Sequence, residues 1–224
     1  MTRMICVTAT GTGVGKTLVT AALAHQARAA GKKTLALKPV ISGWDGGADS
    51  DTHQLLAAQG LAATEEEIAR ISPWRFADPV SPHIAAARAG ATLSASEIVN
   101  YCRKQAEGHE IAFIEGAGGV MAPIATKQTF LEVIEPLGAE VVLVAGSYLG
   151  TLSHTLTALE VLKARGVHPL LLVISESVQS PMPLAETEAS LRGFAPGVPF
   201  AVVPRLAGPP PLWPSVPDLF TTMG

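Results

Sequence analysis

The sequence has little that would cross-link the chain, bind zinc or attract nucleic acid. Only two cysteines occur among 224 residues, Cys6 and Cys102, and neither has a partner at metal-ligand spacing. The six histidines show no paired spacing either, so a zinc site is not expected. Because the formal net charge is −3 and the basic residues are scattered, we expect neither nucleic acid nor an anionic membrane as a partner.

Long apolar runs and a leader-like segment are also missing. No uninterrupted run approaches the roughly 20 residues of a membrane span, and a strand pattern already begins at Met4 where a secretory signal would need a charged and then an apolar region. These features predict a cytoplasmic, reducing location. With 48% hydrophobic and 16% charged residues and no break in composition, residues 1–224 are expected to form one domain with one large core.

Apolar segments of strand length alternate with helical segments along the chain. This order predicts an α/β fold, with a doubly wound, mostly parallel sheet flanked by helices. Expected strands cover residues 4–7, 34–38, 110–115, 140–145, 169–174 and 200–203, and expected helices cover residues 18–30, 53–59, 81–88, 94–107 and 151–165. From Gly208 onward the chain is rich in proline, so an irregular and loosely held tail is expected.

The glycine-rich segment from Thr8 to Thr17 lies between the first strand and the first helix. It is typical of a phosphate-binding loop, in which backbone amides surround phosphate oxygens, a lysine reaches the outer phosphates and a threonine hydroxyl ligates magnesium. Thr10 stands where the strict motif has its first glycine, but Gly15, Lys16 and Thr17 are intact. We therefore predict nucleotide binding, with these candidate residues: Gly13, Val14, Gly15, Lys16, Thr17 and Leu18.

Polar residues at the ends of two further strands predict more of the same site. Lys38 and Ser42 follow the second strand, and ligands of open α/β sheets bind beyond the carboxyl ends of strands, although Lys38 also fits a solvated lysine beside a turn. Glu115 ends an apolar strand before a glycine-rich turn, where it would supply oxygen to a hard cation. Asp51 is a third oxygen donor or, alternatively, a cap of the helix that follows.

Several motifs in order resemble the dethiobiotin synthetase family. These are Val-Thr-x-Thr-x-Thr-x-Val-Gly-Lys-Thr at 7–17, Lys-Pro-Val-x-Ser-Gly at 38–43, Ser50-Asp51, Ser-Pro-His at 81–83, Glu-Gly-Ala-Gly-Gly at 115–119 and Leu-Gly-x-Leu-x-His at 149–154. The resemblance implies a cytoplasmic homodimer of P-loop fold that makes dethiobiotin from 7,8-diaminononanoate, carbon dioxide and ATP with Mg²⁺. It also implies that the active site lies at the subunit interface.

The resemblance further implies residue roles. Lys16 and Lys38 would be catalytic, and Thr17, Asp51 and Glu115 would bind magnesium. Ser42 would contact the diamine, and Gly150, Thr151 and Leu152 would bind its carboxylate from the neighbouring subunit. The nucleotide would also contact Gly116, Ala117, Gly118, Ser175, Pro204, Arg205 and Leu206.

The chain departs from the family pattern at a few positions. Ala9 and Gly11 stand where the family usually has glycine and often has aspartate, and Ser175 stands where it commonly has asparagine. A serine lacks the paired donor and acceptor of an amide, which predicts weak discrimination between nucleotide bases.

Three alternatives share the phosphate loop. An amide ligase related to cobyrinic acid synthesis usually carries a glutamine-hydrolysing domain, for which this chain has no room. A partition-type switch ATPase usually has a second lysine early in the loop, where this chain has Thr10, Gly11 and Thr12. A degenerate nucleotide-binding homologue is the third alternative, against which Lys16, Thr17, Lys38, Asp51 and Glu115 argue.

Overall fold

A six-stranded parallel sheet forms the centre of the protein. The computed structural model describes residues 1–208 and 211–224. The strand order is β10-β9-β8-β1-β5-β2, and every neighbouring pair in this sheet is parallel. Helices lie on both faces, so the predicted doubly wound α/β fold is confirmed.

The observed strands and helices follow the expected order. The strands are β1 Arg3–Ala9, β2 Thr34–Leu37, β3 Val40–Ser42, β4 Trp74–Phe76, β5 Ile111–Glu115, β6 Pro123–Ala125, β7 Gln128–Thr129, β8 Glu140–Ala145, β9 Pro169–Ser175 and β10 Phe200–Val203. The helices are α1 Lys16–Ala29, α2 Asp51–Gln59, α3 Glu65–Ile71, α4 Pro82–Arg88, α5 Ala95–Ala106, α6 Leu131–Leu137, α7 Thr151–Ala164 and α8 Leu184–Phe194. None of the helices among these described residues is long and apolar enough to cross a bilayer.

Two apolar layers cover the two faces of the sheet. Side chains alternate along β1, so that Cys6 enters one layer while Ile5 and Val7 enter the other. The first layer contains residues of α4 to α8, and the second contains residues of α1, α2 and α3. Since both faces are covered, the central strands read as apolar runs, as in the segment Glu140–Ala145.

Helix starts follow local capping. Ser94 caps α5 by accepting a hydrogen bond from the Glu97 backbone N–H at 3.2 Å, as the capping-box pattern predicts. Ser50 likewise caps α2, which begins at Asp51, two residues earlier than the apolar pattern indicates. Asp51 is therefore a first-turn residue of α2, and the cap itself is Ser50.

Several short elements were not predicted. β3, β4, β6 and β7 have only two or three residues each, too few for a two-residue periodicity to register. Helix α6 contains Pro136 and α8 contains Gly193, and both residue types argue against a helix when only sequence is considered. Tertiary packing offsets these propensities, since Leu131, Ile134 and Leu191 are fully buried or nearly so.

The expectation of a loosely held carboxyl-terminal tail is wrong for its described part, while Pro209 and Pro210 lie outside the described residues. Residues 211–224 are largely irregular apart from two short 3₁₀ turns, but Trp213, Val216 and Leu219 pack into the apolar layer of α1. Gln26 on α1 donates to the carbonyls of Val216 and Pro217 and accepts from two backbone N–H groups, those of Leu219 and Phe220.

Replacing Gln26 tests how firmly this segment is held. In Gln26→Ala four backbone groups of the tail lose their partner, so we expect the free energy of unfolding to fall by about 1–3 kcal/mol in urea titrations. Gln105→Ala, the same change on α5, is the control and should stay within about 0.5 kcal/mol of wild type. Equal stabilities of the two variants would contradict the contribution assigned to Gln26.

Candidate active site

A cavity of about 840 Å³ opens at the carboxyl ends of the adjacent strands β1, β5 and β2. Open parallel sheets bind their ligands at this edge. The cavity brings together eleven of the predicted site residues: Gly13, Gly15, Lys16, Thr17, Leu18, Lys38, Ser42, Asp51, Glu115, Ala117 and Gly118. The chain thus places its phosphate loop, two lysines and two carboxylates around one space.

The phosphate loop joins β1 to α1 and is built around Gly15. Gly15 is the residue before α1 and has φ +92°, a left-handed conformation that favours glycine. A Cβ added to Gly15 would lie 2.6 Å from Ser175 Oγ, so the close approach of β9 also requires glycine here. The start of α1 consequently points its free amides at the cavity.

Lys16 is a buried cation beside this loop. Its side chain is only slightly exposed, and its Nζ donates to the carbonyl of Gly11 at 3.1 Å. The pKa of Lys16 is lowered to about 8, chiefly by burial, with nearby Lys38 also acting to lower it and Glu115 and Asp51 acting to raise it. An anionic phosphate in the cavity would stabilise the charged form of this lysine.

Lys38 is held between two carboxylates. Its Nζ donates to Glu115 Oε1 at 2.7 Å and also to Asp51 Oδ2, and its side chain is 7% exposed. Burial acts to lower the pKa of Lys38, but the negative charges of Glu115 and Asp51 outweigh burial and raise it. For Asp51 burial acts to raise the pKa, and attraction to Lys38 prevails and lowers it. Lys38 is therefore a charged site residue rather than a solvated surface lysine.

The donor set around this lysine suits a hard cation such as Mg²⁺. Thr17 Oγ1 lies 2.8 Å from Glu115 Oε1, while Glu115 Oε2 is buried and has no hydrogen-bond partner among the described residues. A buried carboxylate oxygen without a partner is costly unless a ligand satisfies it. Within residues 1–208 and 211–224, no group of three or more Asp, Glu, His or Cys residues is arranged to hold a metal ion by itself, so phosphate and water oxygens would have to complete the coordination.

Other residues of this cavity are not among the predicted site residues. Ser81, Pro82 and Pro123 line its far wall, and the Ser81 hydroxyl donates to the Pro123 carbonyl at 3.0 Å. Gln54 lines it from the first turn of α2. The only sequence signal for the wall was the Ser-Pro-His motif at 81–83, because a contact with the distant β6 leaves no periodicity in the chain.

Two groups of predicted residues lie outside this cavity. Ser175 ends β9 and lies behind the phosphate loop against Gly15, and the Arg205 backbone N–H donates to Glu176 Oε2 at 2.7 Å, so the segment Pro204–Leu206 is tied to the end of β9. Gly150, Thr151 and Leu152 form the start of α7, away from the cavity. The remaining two, Val14 and Gly116, do not line the cavity either.

The fold has counterparts among solved structures. A ParA-family ATPase from Chlorobium tepidum superposes with a TM-score of 0.57 at 14% identity over 92% of this chain and 86% of that one. The septum site-determining protein MinD from Pyrococcus horikoshii does so with a TM-score of 0.51 at 20% identity over 91% and 82%. A family model described as an AAA domain matches residues 3–210.

The Gly-Lys-Thr loop follows the carboxyl end of the central strand β1 and leads into α1. It defines a nucleotide-binding protein of the P-loop class. The ATP-dependent dethiobiotin synthetases of Caulobacter vibrioides and Methylobacterium nodulans are 44% identical over 194 residues and 43% identical over 209 residues. These matches cover 86% and 89% of this chain and 88% and 92% of the relatives. The chain belongs to the dethiobiotin synthetase family of ATP-dependent enzymes.

Removing the buried ammonium group tests the electrostatics of the site without any substrate. In Lys38→Met the fully buried Glu115 side chain loses its cationic partner, and we expect the nucleotide-free protein to lose about 3–5 kcal/mol of unfolding free energy at pH 7. Lys32→Met is the matched control, since its pair with Glu110 is about half exposed and should therefore contribute far less to stability. A loss no greater than that of the control in urea unfolding would refute the assigned role of the pair.

Proposed function

We propose that this chain makes dethiobiotin from 7,8-diaminononanoate, carbon dioxide and ATP. The observation that carries the proposal is Lys38, a buried ammonium group that shares one cavity with the phosphate loop and Ser42. The family resemblance and the curated relatives support the same reaction. Two core layers share the one sheet, which supports the expectation that residues 1–224 act as one domain.

The reaction needs positioning and charge stabilisation more than a protein nucleophile. An amine of the diamine attacks carbon dioxide and becomes a carbamate after losing a proton. A carbamate oxygen then takes the terminal phosphoryl group of ATP, with ADP as the leaving group. The second amine attacks the carbonyl carbon of this anhydride, loses a proton and expels phosphate, which closes the ureido ring. Both nucleophiles belong to the substrate, and the cavity accordingly offers cations and amides.

The two lysines would act at successive places in this sequence. Lys16 lies at the phosphate loop, where its ammonium group would compensate charge on the transferred phosphoryl group. Lys38 lines the same cavity as Ser42, and its ammonium group would hold the carbamate oxygens and the anhydride that follows. Glu115 and Asp51 keep Lys38 charged and pointed into the cavity.

Thr17, Asp51 and Glu115 would hold Mg²⁺ beside the phosphates. When bound, Mg²⁺ supplies positive charge that aligns the phosphate oxygens and neutralises charge at the transferred group. The unpartnered Glu115 Oε2 and the hydroxyl of Thr17 support this assignment. Lys38 would then exchange part of its carboxylate contacts for the carbamate.

The nucleotide would lie along the phosphate loop toward the ends of β9 and β10. Amides from Gly13 to Leu18 and the turn Gly116–Gly118 would surround the phosphates. Ser175 and the segment Pro204–Leu206 would be next to the base, an assignment supported by their packing behind the loop. Ser175 packs against Gly15, and its short side chain lacks the paired donor and acceptor of an amide, which supports the predicted weak choice between bases.

The diamine would be bound between two copies of this chain. Ser42 would contact its amine end, and the start of α7, at Gly150, Thr151 and Leu152, would bind its carboxylate from the neighbouring subunit because helix amino termini favour anions. The α7 start does not line the cavity of its own chain, while Leu149 and Met121 expose apolar side chains, 86% and 50% accessible. A homodimer would cover such a surface.

We place this enzyme in the cytoplasm, in agreement with its two free, buried thiols.

Phosphate release tests the reaction itself. With ATP, Mg²⁺ and bicarbonate, we expect release of inorganic phosphate only when 7,8-diaminononanoate is present, with dethiobiotin formed in equal amount as followed by mass spectrometry. Phosphate release indifferent to the diamine would instead support a switch ATPase. Nucleotide binding without either product would support a degenerate homologue.

A shared active site can be tested by complementation. Lys38→Ala and Leu152→Asp should each be nearly inactive, the first because the carbamate loses its cation and the second because an acidic side chain repels the carboxylate. After the two variants are mixed and allowed to exchange subunits, half of the dimers are mixed and each has one intact site, so about a quarter of the wild-type activity should return.

Two controls define the result. Each variant taken alone through the same subunit-exchange procedure should remain inactive. Both variants should still bind ADP, as measured by calorimetry. Failure of the mixture to recover activity, although mixed dimers are detected by native mass spectrometry, would show that Lys38 and Leu152 act in the same subunit's site.

A further inference from the structure

A pair of serines joins two loops that, under the proposed function, lie next to different ligands, the nucleotide and the diamine carboxylate. Ser147 lies in the loop between β8 and α7, and Ser177 lies in the loop after β9. The Ser147 backbone N–H donates to Ser177 Oγ at 3.0 Å, and the Ser177 backbone N–H donates to Ser147 Oγ at 2.9 Å. Each serine thus caps the backbone of the other, and Ser147 is fully buried.

The close approach of the two loops at this pair requires a residue without a side chain. A Cβ added to Gly146 would lie 2.7 Å from Ser177 Oγ, so glycine allows the second loop to approach. Ser180 Oγ lies 3.2 Å from the Ser147 carbonyl and adds a further contact between the loops. Such reciprocal contacts fix two loops more firmly than apolar packing alone, because each bond has a defined direction.

The pair is continuous with the phosphate loop on one side and with α7 on the other. Ser175, two residues before Ser177, packs its Oγ against Gly15 of the phosphate loop. Thr151, the first residue of α7, is 2% exposed and donates from Oγ1 to the Gly146 carbonyl at 2.6 Å. Contacts and short chain segments therefore connect the phosphate loop with the start of α7.

We propose that Ser147 and Ser177 are positioning residues that fix the start of α7 relative to the phosphate loop. Nucleotide binding in one subunit then orders the α7 start that binds the diamine carboxylate of the neighbouring subunit. The role of the α7 start in binding the carboxylate rests on the proposed function, whereas the coupling of nucleotide to α7 depends only on contacts within one chain. Neither serine touches a reacting atom in this scheme.

Hydrogen exchange with MgADP tests the coupling without the diamine. In the wild-type protein we expect MgADP to slow amide exchange of residues 148–152 at least about threefold, because the nucleotide immobilises the phosphate loop and hence Ser175. In Ser177→Ala this protection should vanish, although ADP binds with a dissociation constant within about twofold of wild type. Protection that persists in Ser177→Ala, or that is missing in the wild type, would overturn the proposal.

Steady-state kinetics tests the positioning role in the intact enzyme. Ser147→Ala and Ser177→Ala should each raise KM for the diamine about tenfold and change kcat and KM for ATP less than about twofold. Since both bonds join the same two loops, the double variant should have about the same KM for the diamine as either single variant. A KM raised by the product of the two single effects would overturn the proposal. Ser177→Thr keeps the hydroxyl and should restore KM, and Ser190→Ala on α8 is the control for the chemical change.

The outcomes separate this proposal from the proposed function. If the wild-type protein made no dethiobiotin, the reaction would be refuted, and the exchange experiment would still decide whether nucleotide orders the α7 start. If the wild-type protein were active and the variants kept a normal KM for the diamine, the positioning role would be refuted and the reaction would stand.

Discussion

The ion cluster of Lys38, Asp51 and Glu115 is the interaction on which the site depends. A buried ammonium group is stable only when negative charge compensates for its lost hydration, and here two carboxylates from different elements do so. The cluster fixes the distance between β2, β5 and the first turn of α2. Under the proposed function, the phosphorylated substrate and the cation would bind to these charges by replacing contacts that the cluster already makes.

The parallel sheet makes this cluster possible. Because every main strand runs in the same direction, the residues that follow β1, β2 and β5 lie together at the carboxyl ends of the strands, although up to about a hundred positions separate them in the chain. The carboxyl ends of β8, β9 and β10 lie farther along the same side of the sheet. The proposed binding sites for nucleotide, carbamate and carboxylate would thus lie along this side without any change in the core.

Small residues are as important here as charged ones. The phosphate loop approaches β9 only because Gly15 has no side chain, and the serine pair closes only because Gly146 has none. The result is a wall in which the phosphate loop, the end of β9 and the start of α7 touch in sequence. Packed elements of this kind have little free space, which supports the proposed coupling between the phosphate loop and α7.

The sequence by itself determined the α/β class, the six main strands, the phosphate loop and the candidate charges, because strand periodicity and the Gly-Lys-Thr signature are local properties. It also carried the family resemblance, in motifs that keep their order. Only the tertiary structure decided that Lys38 is buried between two carboxylates rather than solvated, since this depends on β5 lying between β1 and β2. The docked tail, helix α6 with Pro136 and the Ser147–Ser177 pair were likewise decided by long-range contacts, which leave no periodic signal in the chain and overcome unfavourable local propensities.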